Sequence, residues 1–137
     1  MAKRFLALFI SVMLIITCTA GCGGNKAFED ATKILEDRGT LAYPGSSEIE
    51  ITYYEIASDN SYIIIDTNPY DIDDFYVAEA NQLIKDANVT LGFSEALYEK
   101  MGQTRSMDGR QTEENDNFAV SWTYHPDKGL NVMYEKK

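Results

Sequence analysis

Apolar positions change their period several times along the chain, and each change marks an element. Residues 5–16 are apolar except Ser11, as an unbroken run with no period. Ala27, Phe28, Ala31, Ile34 and Leu35 recur at helical spacing, with Arg38 in the last turn and Gly39 placed to end the helix. Pro44-Gly45-Ser46-Ser47 reads as a turn. Ile49, Ile51 and Tyr53 then alternate with Glu48, Glu50 and Thr52, the signature of a strand with one wet face. After a turn over residues 57–61, Tyr62-Ile63-Ile64-Ile65 carries β-branched residues on both faces and predicts an interior strand. Asn68-Pro69-Tyr70-Asp71 breaks that strand and opens a helix whose stripe is Ile72, Phe75, Tyr76, Ala80, Leu83, Ile84 and Ala87. Asp71 is placed to cap it, with Asp73 and Asp74 in its first turn, where the helix dipole favours negative charge.

Gly92 interrupts, and Ser94 predicts the cap of a short third helix, with Phe93 and Tyr98 spaced as a hydrophobic staple and Leu97 and Met101 on the buried face. Residues 104–116 are almost wholly polar and predict a long loop without structure of its own. Phe118, Val120, Trp122 and Tyr124 then alternate with Ala119, Ser121, Thr123 and His125 as a two-faced strand. Pro126-Asp127-Lys128-Gly129 supplies hairpin-turn chemistry, and Leu130, Val132 and Tyr134 answer on the returning strand.

The leader has its own logic. Lys3 and Arg4 precede the apolar run, which at about 12 residues matches a signal-peptide core and falls short of the roughly 20 that span a bilayer. Thr19-Ala20-Gly21-Cys22 resembles the lipobox of bacterial lipoprotein precursors, where small residues precede an invariant cysteine. Thr19 departs from the aliphatic residue usual at its position. The resemblance implies that residues 1–21 are a signal peptide removed by signal peptidase II and that Cys22 becomes a lipid-bearing N-terminus. It also implies a place on the extracytoplasmic face of the cell membrane. A secreted protein and an uncleaved membrane anchor are the alternatives. Gly23, Gly24 and Asn25 would then be the whole tether, about 10 Å if extended.

Helix, hairpin, two helices, hairpin describes an α+β fold. The expectation is an antiparallel sheet of about four strands in two hairpins, with the helices on one face, forming a single small domain over residues 22–137. In outline this resembles the small lipoproteins related to β-lactamase inhibitor proteins, a likeness of element order that no motif accompanies.

Composition narrows the function. The formal charge is −10, and without Lys3 and Arg4 ten basic residues face 22 acidic ones, a net −12. Such a chain is not built to neutralise a phosphate backbone, so nucleic acid is excluded as a partner. Length excludes a barrel enzyme. With Cys18 in the leader and Cys22 carrying lipid, no disulfide can form within the domain.

Catalytic chemistry does not emerge. His125 is the only histidine; Ser121 shares its strand face, but Cβ atoms four residues apart on a strand are separated by about 13 Å. No Gly-x-Ser-x-Gly is present. Zinc lacks ligands. An EF-hand calcium loop starting at Asp66 needs Gly at its sixth place and Glu at its twelfth, where Asp71 and Val77 stand. No catalytic residue, metal site or cofactor is therefore expected. The residues left as binding candidates are Glu113, Glu114 and Asp116 in the polar segment, which reads as either a solvated loop or a recognition loop, together with Tyr54, whose adjacency to Tyr53 turns one of the two outward.

The functional expectation is a membrane-anchored lipoprotein acting as a small binding module for a basic protein or peptide. A glycan- or wall-binding module using exposed tyrosines is the alternative, and a hydrolase ranks last. A pocket lined by Tyr54 or by residues 104–116 would favour binding; a concave site gathering His125 with two carboxylates would favour an enzyme.

Overall fold

The computed structural model describes residues 22–43, 45–72 and 78–137. The expected leader, residues 1–21, lies outside them, as do Asp73 and Asp74. In chain order the elements are α1 (Cys22–Arg38), β1 (Thr40–Ala42), β2 (Glu50–Thr52), β3 (Tyr54–Ile56), β4 (Tyr62–Asp66), α2 (Ala78–Thr90) and α3 (Ala96–Gln103), then a 3₁₀ turn (Ser106–Asp108), β5 (Gln111–Glu114), β6 (Phe118–His125) and β7 (Gly129–Lys136). The fold is α+β, with a five-stranded antiparallel sheet in the order β3-β4-β7-β6-β5 and a separate two-stranded sheet of β1 and β2. Among the described residues no helix is long and apolar enough to cross a membrane.

The helices cover one face of the large sheet. Phe28 of α1 stacks on Phe118 of β6 with ring centroids 6.1 Å apart. Tyr134 of β7 donates its hydroxyl hydrogen bond to Asn88 Oδ1 of α2 at 2.7 Å. The α3 end is tied down by Trp122, whose indole N–H donates to Thr104 Oγ1 at 2.8 Å. Phe118, Val120, Trp122, Leu130, Val132, Tyr134, Ile63 and Ile65 all bury on this face, so the alternation expected of the second hairpin is observed. Each large apolar side chain buried here contributes roughly 1.5–3 kcal/mol.

Four expectations are corrected. First, a separate sheet of two short strands accompanies the main one, whose five strands agree with the about four expected. Residues 48–53 do not form one strand, because Tyr53 breaks the ladder: its N–H donates to the Gly39 carbonyl and its own carbonyl accepts from Asp66 N–H, each at 2.9 Å. Residues before it pair with β1 and residues after it with β4. Gly39 is required at this junction, since a Cβ there would strike the Tyr54 ring and the Leu35 carbonyl.

Second, residues 104–116 are not a structureless loop. They hold the 3₁₀ turn, closed by Arg105 and Asp108, and β5, which pairs Gln111 with Trp122 and Glu114 with Ala119. Polar side chains on both faces are what an edge strand carries, and charge there discourages further pairing.

Third, Gly23, Gly24 and Asn25 are helical residues of α1 rather than an extended tether. Gly24 packs against Asn117, immediately before β6.

Fourth, the start of α3 differs, while the first turn expected after Asp71, with Phe75 and Tyr76, lies outside the described residues. Asp71 takes a left-handed backbone (φ 51) and reaches Lys128, while Asn68 closes the turn with bonds to the Ile72 N–H and carbonyl. The residue preceding α3 is Glu95, without a side-chain cap bond, and Ser94 contributes its carbonyl to Leu97 N–H at 3.0 Å. Phe93 packs on Tyr134, and Tyr98 turns to α2 through Asn81 and Lys85.

Candidate functional site

The β6–β7 turn closes one end of the sheet, and the chain around it is shaped to leave a hollow. Gly129 holds φ 73 at the start of β7, where a side chain would meet the Thr67 hydroxyl. Thr67 accepts from Leu130 N–H at 2.9 Å and donates to its carbonyl at 3.2 Å, fixing the strand after β4 to the hairpin. Asn68, 2% exposed, adds a bond from its amide to the Asp127 carbonyl at 3.1 Å. On the opposite side the 3₁₀ turn and Gly109 (φ 67) pass alongside β6 beyond the point where β5 begins. Between these walls lies an open cleft of about 310 Å³, lined by Asp66, Asp71, Ser106, Gly109, Thr123, Tyr124, His125, Lys128, Gly129 and Asn131.

Strand register builds one row of this lining. Asp66 of β4, Asn131 of β7 and Thr123 of β6 lie directly across from one another, on the face away from the helices. Asp66 is half-buried and oriented: it accepts from Asn68 N–H at 2.8 Å and from the Asn131 amide at 2.9 Å. Among the described residues no lysine or arginine is paired with it. Asp71, by contrast, pairs with Lys128 at 3.0 Å, both exposed. The cleft thus offers one pre-positioned carboxylate, an amide, hydroxyls and one neutralised ion pair.

His125 and two carboxylates do meet in this cleft, the arrangement set out above as favouring an enzyme. The hydrogen bonds around that ring are as follows. His125 Nδ1 accepts from Asp127 N–H at 3.2 Å and lies 3.7 Å from the Asp127 carboxylate, so its partners are those of its own turn. Among the described residues no hydroxyl donates to His125. Ser121, 8% exposed, is engaged by Arg110 at 2.9 Å. Nor, among the described residues, do three His, Cys, Asp or Glu side chains gather to hold a metal ion. The constellation can orient a ligand, and among the described residues no hydroxyl or thiol is hydrogen-bonded to the imidazole.

The carboxylates singled out in the polar segment lie elsewhere. Glu113 pairs with Lys100 of α3, and Glu114 approaches Lys137 at 3.4 Å; both sit opposite the first residues of β6. Asp116, in the turn before β6, lines a second open cleft of about 280 Å³ with Gly24, Asn25, Asn117, Phe118, Lys136 and Lys137. Cys22 opens α1 at this same end. Tyr54 is half-buried over Gly39 at the β3 edge and lines neither cleft. The residues that sequence patterning passed over are Asn131 and Thr123. Their only signal was placement on the outer face of the last hairpin, and nothing in the pattern linked them to Asp66. No family model matches the chain, and no characterised protein or solved structure shows significant similarity to it.

Proposed function

We propose that this chain is a lipid-anchored extracytoplasmic binding module, held at the membrane through Cys22, whose cleft receives a lysine or arginine side chain of a basic protein or peptide. The observation that carries the proposal is Asp66. It is a half-buried carboxylate, held in place by two donors and without a basic partner among the described residues. Such a group gains most from an incoming cation, because its orientation is fixed before binding. The rest of the surface supports the same choice. Six of the domain's basic residues (Lys26, Arg38, Lys100, Arg105, Lys128 and Lys137) are engaged in ion pairs with the protein's own carboxylates. The surplus negative charge steers basic partners inward. The lipobox resemblance supports the anchor.

Calorimetric titration with a hexalysine peptide tests the reading. Asp66→Asn should weaken binding about tenfold or more, the scale of one charge-assisted hydrogen bond of roughly 1.5–3 kcal/mol, while Asp116→Asn should leave it near wild type. Equal losses for both variants, or none, would sink the proposal. A glycan is the second reading, favoured by the half-buried Tyr124 ring beside Asn131 and Thr123 in the same cleft. Binding of an N-acetylglucosamine oligomer in place of hexalysine, abolished by Tyr124→Ala, would select it.

A further inference from the structure

The two clefts lie at opposite ends of β6, and this fixes a direction. At one end Gly24, in the first turn of α1, packs on Asn117, and the Asn117 carbonyl accepts from Lys137 N–H at 3.0 Å. Cys22, Lys26, Lys136 and Lys137 all belong to this end. From Phe118 to His125 the strand runs about 23 Å at 3.3 Å per residue, and the Asp66 cleft lies at its far end.

Helix α1 gives the same answer by a separate route. It runs about 24 Å from Cys22 to Arg38 at 1.5 Å per residue. Beyond its end Gly39 accepts from Tyr53 N–H and Tyr53 accepts from Asp66 N–H, so α1 finishes two backbone hydrogen bonds from the cleft floor. Strand and helix both lead from the anchor end to the cleft, with no spacer between Cys22 and the first helical turn.

We infer that the domain stands on the membrane by its α1–Asn117 end, with the Asp66 cleft facing away from the lipid, and that the cleft's partner is a soluble basic polypeptide arriving from the aqueous side. This rests on the anchoring reading proposed above. A partner embedded in the bilayer, or the lipid surface itself, would have to reach a site roughly 16 Å above it, the span from Phe118 to Thr123 across from which Asp66 lies.

The test uses the full chain, extracted from membranes and reconstituted in vesicles of phosphatidylcholine and phosphatidylglycerol that contain a nitroxide-headgroup lipid. With Cys18 removed and Cys22 lipidated, Asp116→Cys and Asp127→Cys each introduce a lone thiol for a maleimide fluorophore, at the two ends of β6. The parent chain should take up no dye. The label at 116 should lose most of its emission to the quencher, and the label at 127 should lose none. Dye uptake by the parent would overturn the anchoring reading, and the inference with it. An unlabelled parent with equal quenching at both positions, or stronger quenching at 127, would overturn the inference alone and point to a lipid or an integral membrane partner.

Discussion

The Trp122 indole N–H donates to the Thr104 hydroxyl at 2.8 Å, and that hydroxyl donates in turn to the Lys100 carbonyl at 2.9 Å. The relay fastens the last turn of α3 to the middle of the sheet, with Trp122 4% and Thr104 7% exposed. Thr104→Val keeps the shape and removes the acceptor, leaving a buried indole N–H without a partner. The expected loss is about 1–3 kcal/mol, read by denaturant unfolding, with Thr104→Ser recovering most of it. A Thr104→Val variant as stable as wild type would show that water replaces the hydroxyl.

Burial pushes the Tyr134 hydroxyl well above its ordinary value of 10.0. The folded state therefore holds this proton more tightly than the unfolded chain does. Its contribution is complete below pH 10 and is lost as pH rises beyond that, because only the unfolded tyrosine then ionises. Tyr134→Phe should cost about 1–3 kcal/mol near neutrality by stranding the Asn88 carbonyl oxygen. It should also flatten the decline in stability above pH 10. Unfolding curves measured from pH 8 to 11 check both, and parallel declines in the two proteins would contradict the linkage.

Where side-chain period carried the information, the sequence was readable. Phe28, Ala31 and Leu35 face the sheet at helical spacing, and the last hairpin buries every residue that its alternation assigned inward from Phe118 to Trp122 and from Leu130 to Tyr134. Where hydrogen bonding decided, it was not. Gln111 to Glu114 form a strand only because β6 lies beside them, and Tyr53 divides two sheets through its main chain rather than its ring. The candidate site falls in the second category. Asp66 and Asn131 are 65 residues apart and meet by register across β4 and β7. Asp66 was therefore visible as an acidic residue, weighed for calcium, and not as the floor of a cleft. Glu113 and Glu114 looked available because their partners, Lys100 and Lys137, are supplied by tertiary structure.

The proposed lipid anchor is checked by Cys22→Ala. Cells expressing this variant should incorporate no labelled fatty acid into the protein and should accumulate the uncleaved precursor, while the fold of residues 22–137 should be unchanged by circular dichroism. Continued fatty-acid incorporation by the variant would remove Cys22 as the lipid site.

The carboxylates at the start of β6 give the sharpest contrast with the cleft, because distance and screening make opposite predictions for them at two salt concentrations. Glu113→Gln, Glu114→Gln and Asp116→Asn together neutralise carboxylates at the start of β6; Glu113 and Glu114, opposite Val120 and Ala119, lie about 10–13 Å along the strand from the Thr123 row of the cleft, and Asp116 lies farther. At physiological ionic strength the Debye length is about 8 Å, so a hexalysine chain docking in the cleft is screened from these charges. At 0.01 M it is about 30 Å, and the same charges contribute to steering. The triple variant should therefore associate more slowly than wild type at low salt and at an unchanged rate at physiological salt. Asp66→Asn should weaken binding at both. The melting temperature of the triple variant should move little, since exposed pairs such as Lys100–Glu113 contribute about 0–1 kcal/mol. Stopped-flow association rates across this salt range decide the matter. A triple variant that loses affinity at physiological salt as strongly as Asp66→Asn would move recognition to the β5–β6 end of the domain.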